Sequence, residues 1–461
     1  MASLSLCLFP GNTTFPDKPF RKVETPFVPW YFKWAMKTVK VKIESMAFKG
    51  YGVGHMDGKV IFVPHTVTGD EASVRIVEEK RDYSMGRMEK ILSSSPRRID
   101  PPCPYFGACG GCHWQYIDDP AQGELKKEIL RETLRRLGGF NEIPSISIAS
   151  ALDPYGYRTR AQLKVNGKFL GFYQERSHRI VDIEHCLIAH PLINKMIRIL
   201  RKERPSLAWA EEIEVNISPE EEKGVLIFHS QINHRRVENL IKTFLRIDPI
   251  FKGLALKTKG RWTYWGEPHL NFTLSLNACG RKDHLRLQIS PGSFFQVNLR
   301  QNQKLIDTVI EFSGVRGDEK VLDLYAGAGN LTLPLAIHVR EVWGIEENRA
   351  AVEDAKFNAE RNGIQNSHLI QGKVEEALKN WTGGKPDLVI LDPPRTGCKK
   401  VIDLIVRLEP KKIVYVSCEP TTLSRDLRLF CERGYSLRKL CLIDMFPQTY
   451  HMEVVGLLKQ S

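Results

Sequence analysis

From Glu319 to its end, the sequence alternates between short apolar runs and longer segments of helical periodicity, and this rhythm constrains the fold most. Such alternation predicts parallel strands joined by crossover helices. The last connection is too short for a crossover helix, so the final two strands should form an antiparallel hairpin. We therefore expect a doubly wound, Rossmann-like α/β sheet in this part of the chain. Its strands are predicted at residues 320–325, 341–346, 368–371, 387–392, 412–417, 436–443 and 452–458.

A glycine-rich turn follows the first of these strands, in VLDLYAGAGNLTLPLA (residues 321–336). Gly327 and Gly329 let the backbone approach a ligand, and the helix that follows offers free N–H groups. Glu346 ends the next strand, where a carboxylate can accept hydrogen bonds from ribose hydroxyls, although spacing alone also allows a solvated acid. Thr332 stands where the dinucleotide fingerprint has its third glycine. A mononucleoside cofactor such as S-adenosylmethionine therefore fits better than NAD.

Two more side chains stand at the carboxyl ends of predicted strands, which is where ligands bind in open α/β sheets. Asp392 ends the strand in DLVILDPPRTG, and the prolines after it stiffen the turn. An acid there is expected to hold a substrate nitrogen or the cofactor. Cys418 ends the strand in VYVSCEP, where its sulfur should face the ligand crevice and could act as a nucleophile.

The chain before residue 319 has a different pattern, and 461 residues favour two or three domains. Residues 37–95 consist of short alternating runs between glycine-rich turns, which predicts a small antiparallel, OB-like barrel. Basic residues interleave there with Phe48, Tyr51 and Tyr83, as in nucleic-acid-binding barrels, although each ring is equally compatible with the barrel core. The net charge of +13 suits a polyanionic partner, but a merely basic enzyme would explain it as well.

Four of the ten cysteines have the spacing C-x5-C-x2-C followed by a distant fourth; they are Cys103, Cys109, Cys112 and Cys186. Structural zinc sites usually show two close pairs, whereas three-plus-one spacing suits a four-iron, four-sulfur cluster; zinc remains the alternative. Clustered cysteines without a secretory signal predict a reducing, cytoplasmic location. The other cysteines apart from Cys418 are expected to be packing residues: Cys7, Cys279, Cys398, Cys431 and Cys441.

Taken together, these motifs resemble those of the RNA uridine-5 methyltransferases, the enzymes that make 5-methyluridine in ribosomal and transfer RNA. The resemblance covers nearly the whole chain from about residue 37. It lies in a TRAM-like barrel and in CPYFGACGGC with EHC, YRTRAQ, GFYQERSH, FFQVN, DLYAGAGNLTLPLA, LDPPRTG, SCEPTTLSRD and MFPQTYHMEVV. Glu419 replaces the usual Asn after the cysteine, and Ala326 replaces a frequent Cys. Glu419 is expected to add charge beside Cys418 and to raise its pKa.

The resemblance implies a role for each motif residue. Cys418 would be the nucleophile and Glu453 the general base. The residues that would hold S-adenosylmethionine are Gln296, Tyr325, Glu346 and Asp392, assisted by Asn330. The four clustered cysteines would hold a 4Fe-4S cluster with a structural role. Arg158 and Arg160 are candidates for RNA contacts, although both are equally compatible with an ordinary surface.

We therefore expect an unpatterned extension (1–36), a TRAM-like RNA-binding barrel (37–95), a central α/β domain with the cluster cysteines (96–290) and a methyltransferase domain (291–461). The expected activity is methylation of carbon 5 of a uridine, in 23S ribosomal RNA or alternatively in transfer RNA, without a membrane or an obligate protein partner. An inactive RNA-binding protein is disfavoured because nucleophile, base and cofactor acids are all present. A DNA cytosine-5 methyltransferase would lack the barrel and the clustered cysteines. A radical enzyme would leave one iron open, whereas Cys186 supplies a fourth thiolate.

Overall fold

A computed structural model describes residues 37–232, 234–278 and 281–461. Residues 38–461 form one compact unit. The predicted N-terminal extension, Cys7 and Cys279 lie outside the described residues. Among the helices of the described part, none has both the length and the apolar character that a membrane span requires.

The first region is a six-stranded sheet of order β1-β5-β6-β4-β3-β2. Its strands are β1 (Thr38–Lys42), β2 (Ser45–Ala47), β3 (Tyr51–Met56), β4 (Lys59–Val63), β5 (Glu71–Glu79) and β6 (Tyr83–Ser93). Their alternating apolar side chains form a small core of Val41, Ile43, Ile61, Val63, Ala72 and Val74. The prediction of purely antiparallel pairing is wrong at one place, because β4 and β6 pair in parallel.

Buried Asp70 attaches this sheet to the cysteine-rich loop. Its carboxylate accepts hydrogen bonds from the N–H groups of Val67 and Ser95, at 2.8 and 2.9 Å, and from the guanidinium of Arg98. Burial alone would raise the pKa of Asp70, but these donors hold it below its ordinary value. The Arg98 guanidinium also lies 4.7 Å from the ring centroid of Tyr116, which follows the cysteine loop.

Helix α1 (Asp119–Arg136) and strand β7 (Ile146–Ala149) follow the cysteine loop. The apolar face of α1, which includes Leu125, Ile129 and Leu134, belongs to the same core as the C-terminal sheet. Strand β7 pairs in parallel with a strand near the chain end, at Ile146–Leu440. Residues 119–149 therefore complete the C-terminal sheet, although the sequence pattern groups them with the central region.

The central region contains a mixed seven-stranded sheet of order β10-β9-β8-β11-β12-β13-β14. Its strands are β8 (Arg160–Val165), β9 (Leu170–Tyr173), β10 (Ile180–Asp182), β11 (Glu212–Ser218), β12 (Lys223–Ser230), β13 (Phe251–Thr258) and β14 (Arg261–Gly266). Helices α2 (Pro191–Glu203) and α3 (His234–Ile247) pack their apolar faces against it. A hairpin of β15 (Leu270–Ala278) and β16 (Arg281–Ile289) follows.

The C-terminal region is the predicted doubly wound sheet, and every predicted strand is present within two residues of its expected bounds. The strands are β17 (Lys320–Leu324), β18 (Glu341–Glu346), β19 (Ser367–Gln371), β20 (Leu388–Leu391), β21 (Lys412–Ser417), β22 (Tyr435–Ile443) and β23 (Glu453–Gln460). The helices are α4 (Leu299–Ser313), α5 (Thr332–Ala336), α6 (Arg349–Arg361), α7 (Val374–Lys379), α8 (Ile402–Arg407) and α9 (Pro420–Cys431). The order is β19-β18-β17-β20-β21-β23-β22-β7. Strands β17 to β21 pair in parallel, and β23 is antiparallel to both neighbours, which confirms the predicted hairpin.

A buried ion pair joins α1 to the loop between β22 and β23. The Lys126 ammonium, which has no exposed side-chain surface, lies 2.6 Å from the Asp444 carboxylate and donates to the Phe446 carbonyl at 3.0 Å. It also lies 5.8 Å from the ring centroid of Trp114. Because a buried charge is costly without partners, this arrangement fixes where the loop can lie on the helix.

Candidate active site

Three predicted cofactor residues meet at one edge of the C-terminal sheet. Leu324 is in register with Ile345 of β18 and with Leu391 of β20. The residues that follow in these three strands are Tyr325, Glu346 and Asp392. They therefore stand side by side at the carboxyl ends of β17, β18 and β20, the position that favours ligand binding.

The turn after β17 is held by Glu346. One of its carboxylate oxygens accepts from the N–H of Gly327 at 3.0 Å, and the other accepts from the N–H of Asn348 at 2.7 Å. Tyr325 has a φ of 70°, a left-handed conformation that costs energy in any residue with a side chain. The hydrogen bonds that the N–H groups of Tyr325 and Ala326 donate to the Ile345 carbonyl stabilise this strained turn.

A small cavity lies between this turn and the segment before α4. It is lined by Phe294, Phe295, Gln296, Asp323, Tyr325, Ala326, Gly327, Ala328, Asn330, Leu331 and Asp392. Gln296 is buried, and Asn330 is held in place by a reciprocal pair of amide hydrogen bonds with Asn302, of 2.8 and 2.9 Å. The structure thus brings Gln296, Asn330, Tyr325 and Asp392 to one cavity.

Carboxyl groups crowd this cavity. Burial raises the pKa of Asp392 to about 7, and the neighbouring Glu346 raises it as well. Burial also raises the pKa of Asp323 to about 7, with contributions from Asp392 and Glu346, and its Oδ1 is buried without a hydrogen-bond partner among the described atoms. Like charges this close favour a cationic ligand, because a positive group would relieve their mutual repulsion.

Cys418 and Glu453 lie opposite each other at the same edge of the sheet. Ser417 of β21 pairs with Val454 of β23 in antiparallel register. Cys418 follows Ser417 and Glu453 precedes Val454, so the two residues face each other across the strand pair. Glu453 is only 3% exposed. Burial raises the pKa of its carboxyl well above the usual range, and the nearby Asp392 raises it further.

The Cys418 thiol also has a perturbed pKa. Burial, together with the carboxyl groups of Glu453 and Asp392, raises it to about 11, and the Arg395 guanidinium opposes this shift. The sequence predicted that Glu419 would raise the pKa of Cys418. The carboxylate of Glu419 instead accepts a hydrogen bond from the Thr421 hydroxyl at 2.6 Å.

A larger cavity of about 480 Å³ opens beside Arg395. Its lining includes all four clustered cysteines together with Arg158, Arg160, Phe294, Gln296, Arg395 and Phe446. Gln296 and Phe294 line both cavities, so the two spaces adjoin. The Nε of Arg158 is buried without a hydrogen-bond partner among the described atoms, whereas Arg160 binds Glu214 at 2.7 Å. Arg158 is therefore the better placed of the two to meet a ligand.

The four clustered cysteines are free thiols around this cavity. Burial raises the pKa of Cys109 to about 11 and that of Cys112 to about 12, and the neighbouring thiols add to the shift. The N–H of Gly111 donates to the Cys109 sulfur at 3.4 Å. Four convergent thiols with a backbone N–H on sulfur form a donor set that fits a thiolate-bound metal centre.

Gln448 connects the cysteine loop to the loop that leads into β23. Its carbonyl accepts from the N–H groups of His113 and Trp114, both at 3.0 Å, immediately after Cys112. Its own N–H and side-chain oxygen bind the Gln122 amide, at 2.8 and 3.1 Å. These bonds hold Gln448 at a φ of 67°, so the shape of this loop depends on the cysteine loop and on α1.

The aromatic residues of the N-terminal sheet divide into two groups. Tyr51, Phe62 and Tyr83 form a row of edge-to-face contacts with centroid distances of 6.5 and 5.7 Å. Phe48 instead packs on Tyr450 of the loop before β23, at 5.8 Å. In this row Tyr83 is exposed, whereas the Arg176 guanidinium lies 5.8 Å from the ring centroid of Tyr51. Phe48 attaches the sheet to the loop before β23.

Cys398, which directly follows LDPPRTG, lies in the core. It is 2% exposed, and its N–H donates to the Asp426 carboxylate at 2.7 Å. Cys441 is also buried, which agrees with the prediction of a packing residue, and Cys431 is half-buried.

The roles of three residues in this site were not predicted from the sequence. Arg395 belongs to LDPPRTG, and its position three residues after Asp392 was the signal that could have found it. Asp323 looked like an ordinary residue of β17, and Gln448 belongs to MFPQTYHMEVV. The importance of Asp323 and Gln448 follows from their burial and from contacts with residues that are distant in the sequence.

Comparisons with known proteins agree with this geometry. Residues 121–461 match the family model described as tRNA (Uracil-5-)-methyltransferase, and residues 36–88 match the TRAM domain. An uncharacterized RNA methyltransferase of Aquifex aeolicus is 34% identical over 92% of this chain and 99% of its own. Another, from Caldanaerobacter subterraneus, is 36% identical over 91% and 98%.

A solved structure is also similar over most of the chain. It is the Pyrococcus abyssi tRNA (uracil-54, C5)-methyltransferase in complex with S-adenosyl-L-homocysteine, with a TM-score of 0.71 and 25% identity. The match covers 91% of this chain and all of that one. The chain therefore belongs to the family of S-adenosylmethionine-dependent RNA (uracil-5-)-methyltransferases, and it carries a TRAM domain.

Proposed function

We propose that this protein is a cytoplasmic enzyme that methylates carbon 5 of one uridine in RNA, in 23S ribosomal RNA, through a covalent Cys418–uracil intermediate. The observation that carries the proposal is the placement of Cys418 opposite Glu453, together with Arg395, which lines the larger cavity and acts electrostatically on both groups. The thiol can add to uracil, the buried carboxylate can later remove the proton from carbon 5, and the nearby cation favours the thiolate.

The chemistry assigns a step to each of these groups. The Cys418 thiolate adds to carbon 6 of uracil, and the electron pair of the 5,6 double bond moves to carbon 5. Carbon 5 then forms a bond to the methyl group while the bond between that methyl group and the donor's sulfur breaks, and the electron pair of the broken bond stays on the sulfur. Glu453 removes the proton from carbon 5, the double bond forms again, and the thiolate leaves. The raised pKa of Glu453 makes its carboxylate a stronger base than an exposed one.

S-Adenosylmethionine supplies an electrophilic methyl group on a positively charged sulfur. We propose that Gln296, Tyr325, Glu346 and Asp392 hold it, with Asn330 assisting. Support comes from the carboxyl groups around the small cavity, since a sulfonium and an ammonium group would relieve their repulsion. The unpartnered Oδ1 of Asp323 adds a further acceptor there.

We propose that Cys103, Cys109, Cys112 and Cys186 hold a 4Fe-4S cluster that crosslinks the cysteine loop to the segment before α2. In tetrahedral zinc sites with bonds of about 2.3 Å, the sulfur atoms lie about 3.8 Å apart. Within residues 37–232, 234–278 and 281–461, the one set of three ligating side chains with atoms all within 4.8 Å of one another is Glu212, Glu214 and His229. The four cysteines are therefore spread more widely than zinc prefers, which favours the cluster.

The proposed RNA class rests on the resemblance, because a TRAM domain with clustered cysteines accompanies the ribosomal branch more often. Transfer RNA is the second candidate, since the similar Pyrococcus abyssi structure is that of a tRNA (uracil-54, C5)-methyltransferase. Mapping of 5-methyluridine in a strain that lacks the gene should show loss at a site in 23S ribosomal RNA, with the modified uridines of transfer RNA retained. Loss from transfer RNA alone would contradict the ribosomal assignment.

Replacement of Cys418 and replacement of Glu453 should stop the reaction at different steps. Glu453→Gln keeps the shape but removes the proton acceptor, so methyl transfer should proceed and the RNA should stay joined to Cys418. Cys418→Ala should bind RNA but form no adduct, because the ring is not activated. The measurement is a slowly migrating protein–RNA band on a denaturing gel, dependent on S-adenosylmethionine.

Cys398→Ala is the matched control, since this cysteine is buried in the core and its N–H binds the Asp426 carboxylate. It should behave as the wild-type protein does in the gel assay. Wild-type turnover by Glu453→Gln would remove that residue from the mechanism. A band that persists in Cys418→Ala would place the nucleophile elsewhere.

The reactivity of Cys418 should depend steeply on pH. With a pKa of about 11, the thiolate fraction should rise about tenfold for each pH unit between 7 and 10. Arg395→Gln removes the cation that lowers this pKa, so alkylation of Cys418 by iodoacetamide should slow at every pH in that range. The rate is read from the Cys418 peptide by mass spectrometry.

Arg428→Gln, an exposed charge farther along α9, is the control and should leave the alkylation profile unchanged. Arg395→Lys keeps a cation and should restore part of the rate. If Arg395→Gln reacts as fast as the wild-type protein, the guanidinium does not stabilise the thiolate.

Protein purified without oxygen should be brown and contain about four iron and four sulfide per chain. Cys109→Ser should lower both contents and weaken RNA binding before cofactor binding, because Cys109 lies apart from the small cavity. Cys431→Ser, which changes a half-buried cysteine of α9, should keep the full content. One zinc per chain without iron would contradict the cluster.

A further inference from the structure

A second groove, of about 500 Å³, lies between the segment before Cys186 and the C-terminal half of α2. Four of its six lining residues are basic; the lining consists of Glu184, His185, Arg198, Arg201, Lys202 and Arg204. His185 also lines the larger cavity, so the groove lies next to the proposed substrate space. We call it the α2 groove.

The cations of the α2 groove fall into two pairs. Arg201 and Arg204 both bind the Asp182 carboxylate, at 2.9 and 3.3 Å, and Arg201 also donates to the Ile183 carbonyl at 2.7 Å. These two guanidinium groups are fixed, and together they face the single negative charge of Asp182. This pair therefore leaves a net positive charge at the wall of the groove.

Arg198 and Lys202 form the second pair, and both side chains are exposed. They stand four residues apart on α2, so they lie on the same face one helical turn apart. Like charges at this spacing destabilise a helix. A row of anions in the groove would remove this repulsion, because each cation would gain a partner.

We propose that the α2 groove binds consecutive phosphates of the substrate RNA strand, where it leaves the larger cavity past His185. The inference rests on the proposed function, because a uridine inserted toward Cys418 must carry its strand out of that cavity. A phosphodiester chain suits the groove better than a protein would, because its phosphates are regularly spaced anions. Cations that contact phosphates bind them without regard to the base sequence.

The test compares two double variants with the same loss of charge. Arg198→Ala/Lys202→Ala removes the exposed pair of the α2 groove. Lys385→Ala/Lys411→Ala is the control, since these lysines stand before β20 and β21, at the sheet edge opposite the site. The probe is a fluorescent oligouridylate, whose affinity for each protein is measured over a range of salt concentrations.

Affinity falls with salt, and each phosphate contact on a single strand adds about 0.7 to the magnitude of the slope of log affinity against log salt. The magnitude of this slope should therefore be smaller by up to about 1.4 in the groove variant than in the wild-type protein, and unchanged in the control variant. An unchanged slope in the groove variant, or an equal fall in both variants, would overturn the proposal.

A second measurement uses methyl transfer to total RNA from a strain that lacks the gene. The groove variant should raise KM several-fold and leave kcat unchanged, because the two cations lie away from the reacting atoms. A fall in kcat with unchanged KM would contradict the proposal. If the wild-type protein methylates no uridine, the proposed function fails, while the oligouridylate slopes still decide whether the groove binds phosphates.

Discussion

The buried ammonium group of Lys126 determines where the loop before β23 lies, and the candidate site depends on that loop. Moving two charges into the interior costs more than their attraction usually returns, so such a pair persists where its geometry is tightly defined. Asp444 and the Phe446 carbonyl provide that geometry at 2.6 and 3.0 Å. The loop then continues through Gln448, which binds the backbone after the cysteine loop, and ends at Glu453.

The same site has an imbalance of charge that a ligand would correct. Asp323, Asp392 and Glu453 all have raised pKa values because burial removes water and because carboxyl groups face one another. Arg395 is the cation that acts on both Cys418 and Glu453. A positively charged methyl donor would lower the cost of ionising these acids, so binding of the donor would be linked to ionisation of Glu453.

The sequence predicted the C-terminal sheet well because its strands are short apolar runs with a regular spacing. Cys418 and Asp392 could be singled out because they end such runs, and Glu453 was identified through its resemblance to the family motif. The pairing of β7 with β22 could not be read in the same way, because it joins Ile146 to Leu440. The parallel β4–β6 pair and the left-handed backbone of Gln448 likewise depend on tertiary contacts, for which the local pattern carries no signal.

The position of β7 has a consequence for biosynthesis. This strand covers the outer edge of β22, but its partner residues are made about 290 residues later. At ordinary rates of translation, that interval is roughly 15 to 60 s. During that time the edge of β7 has no strand to pair with and is exposed to other chains. Synthesis of β22 and β23 is therefore the step that lets β7 join the sheet, and it also brings Glu453 opposite Cys418.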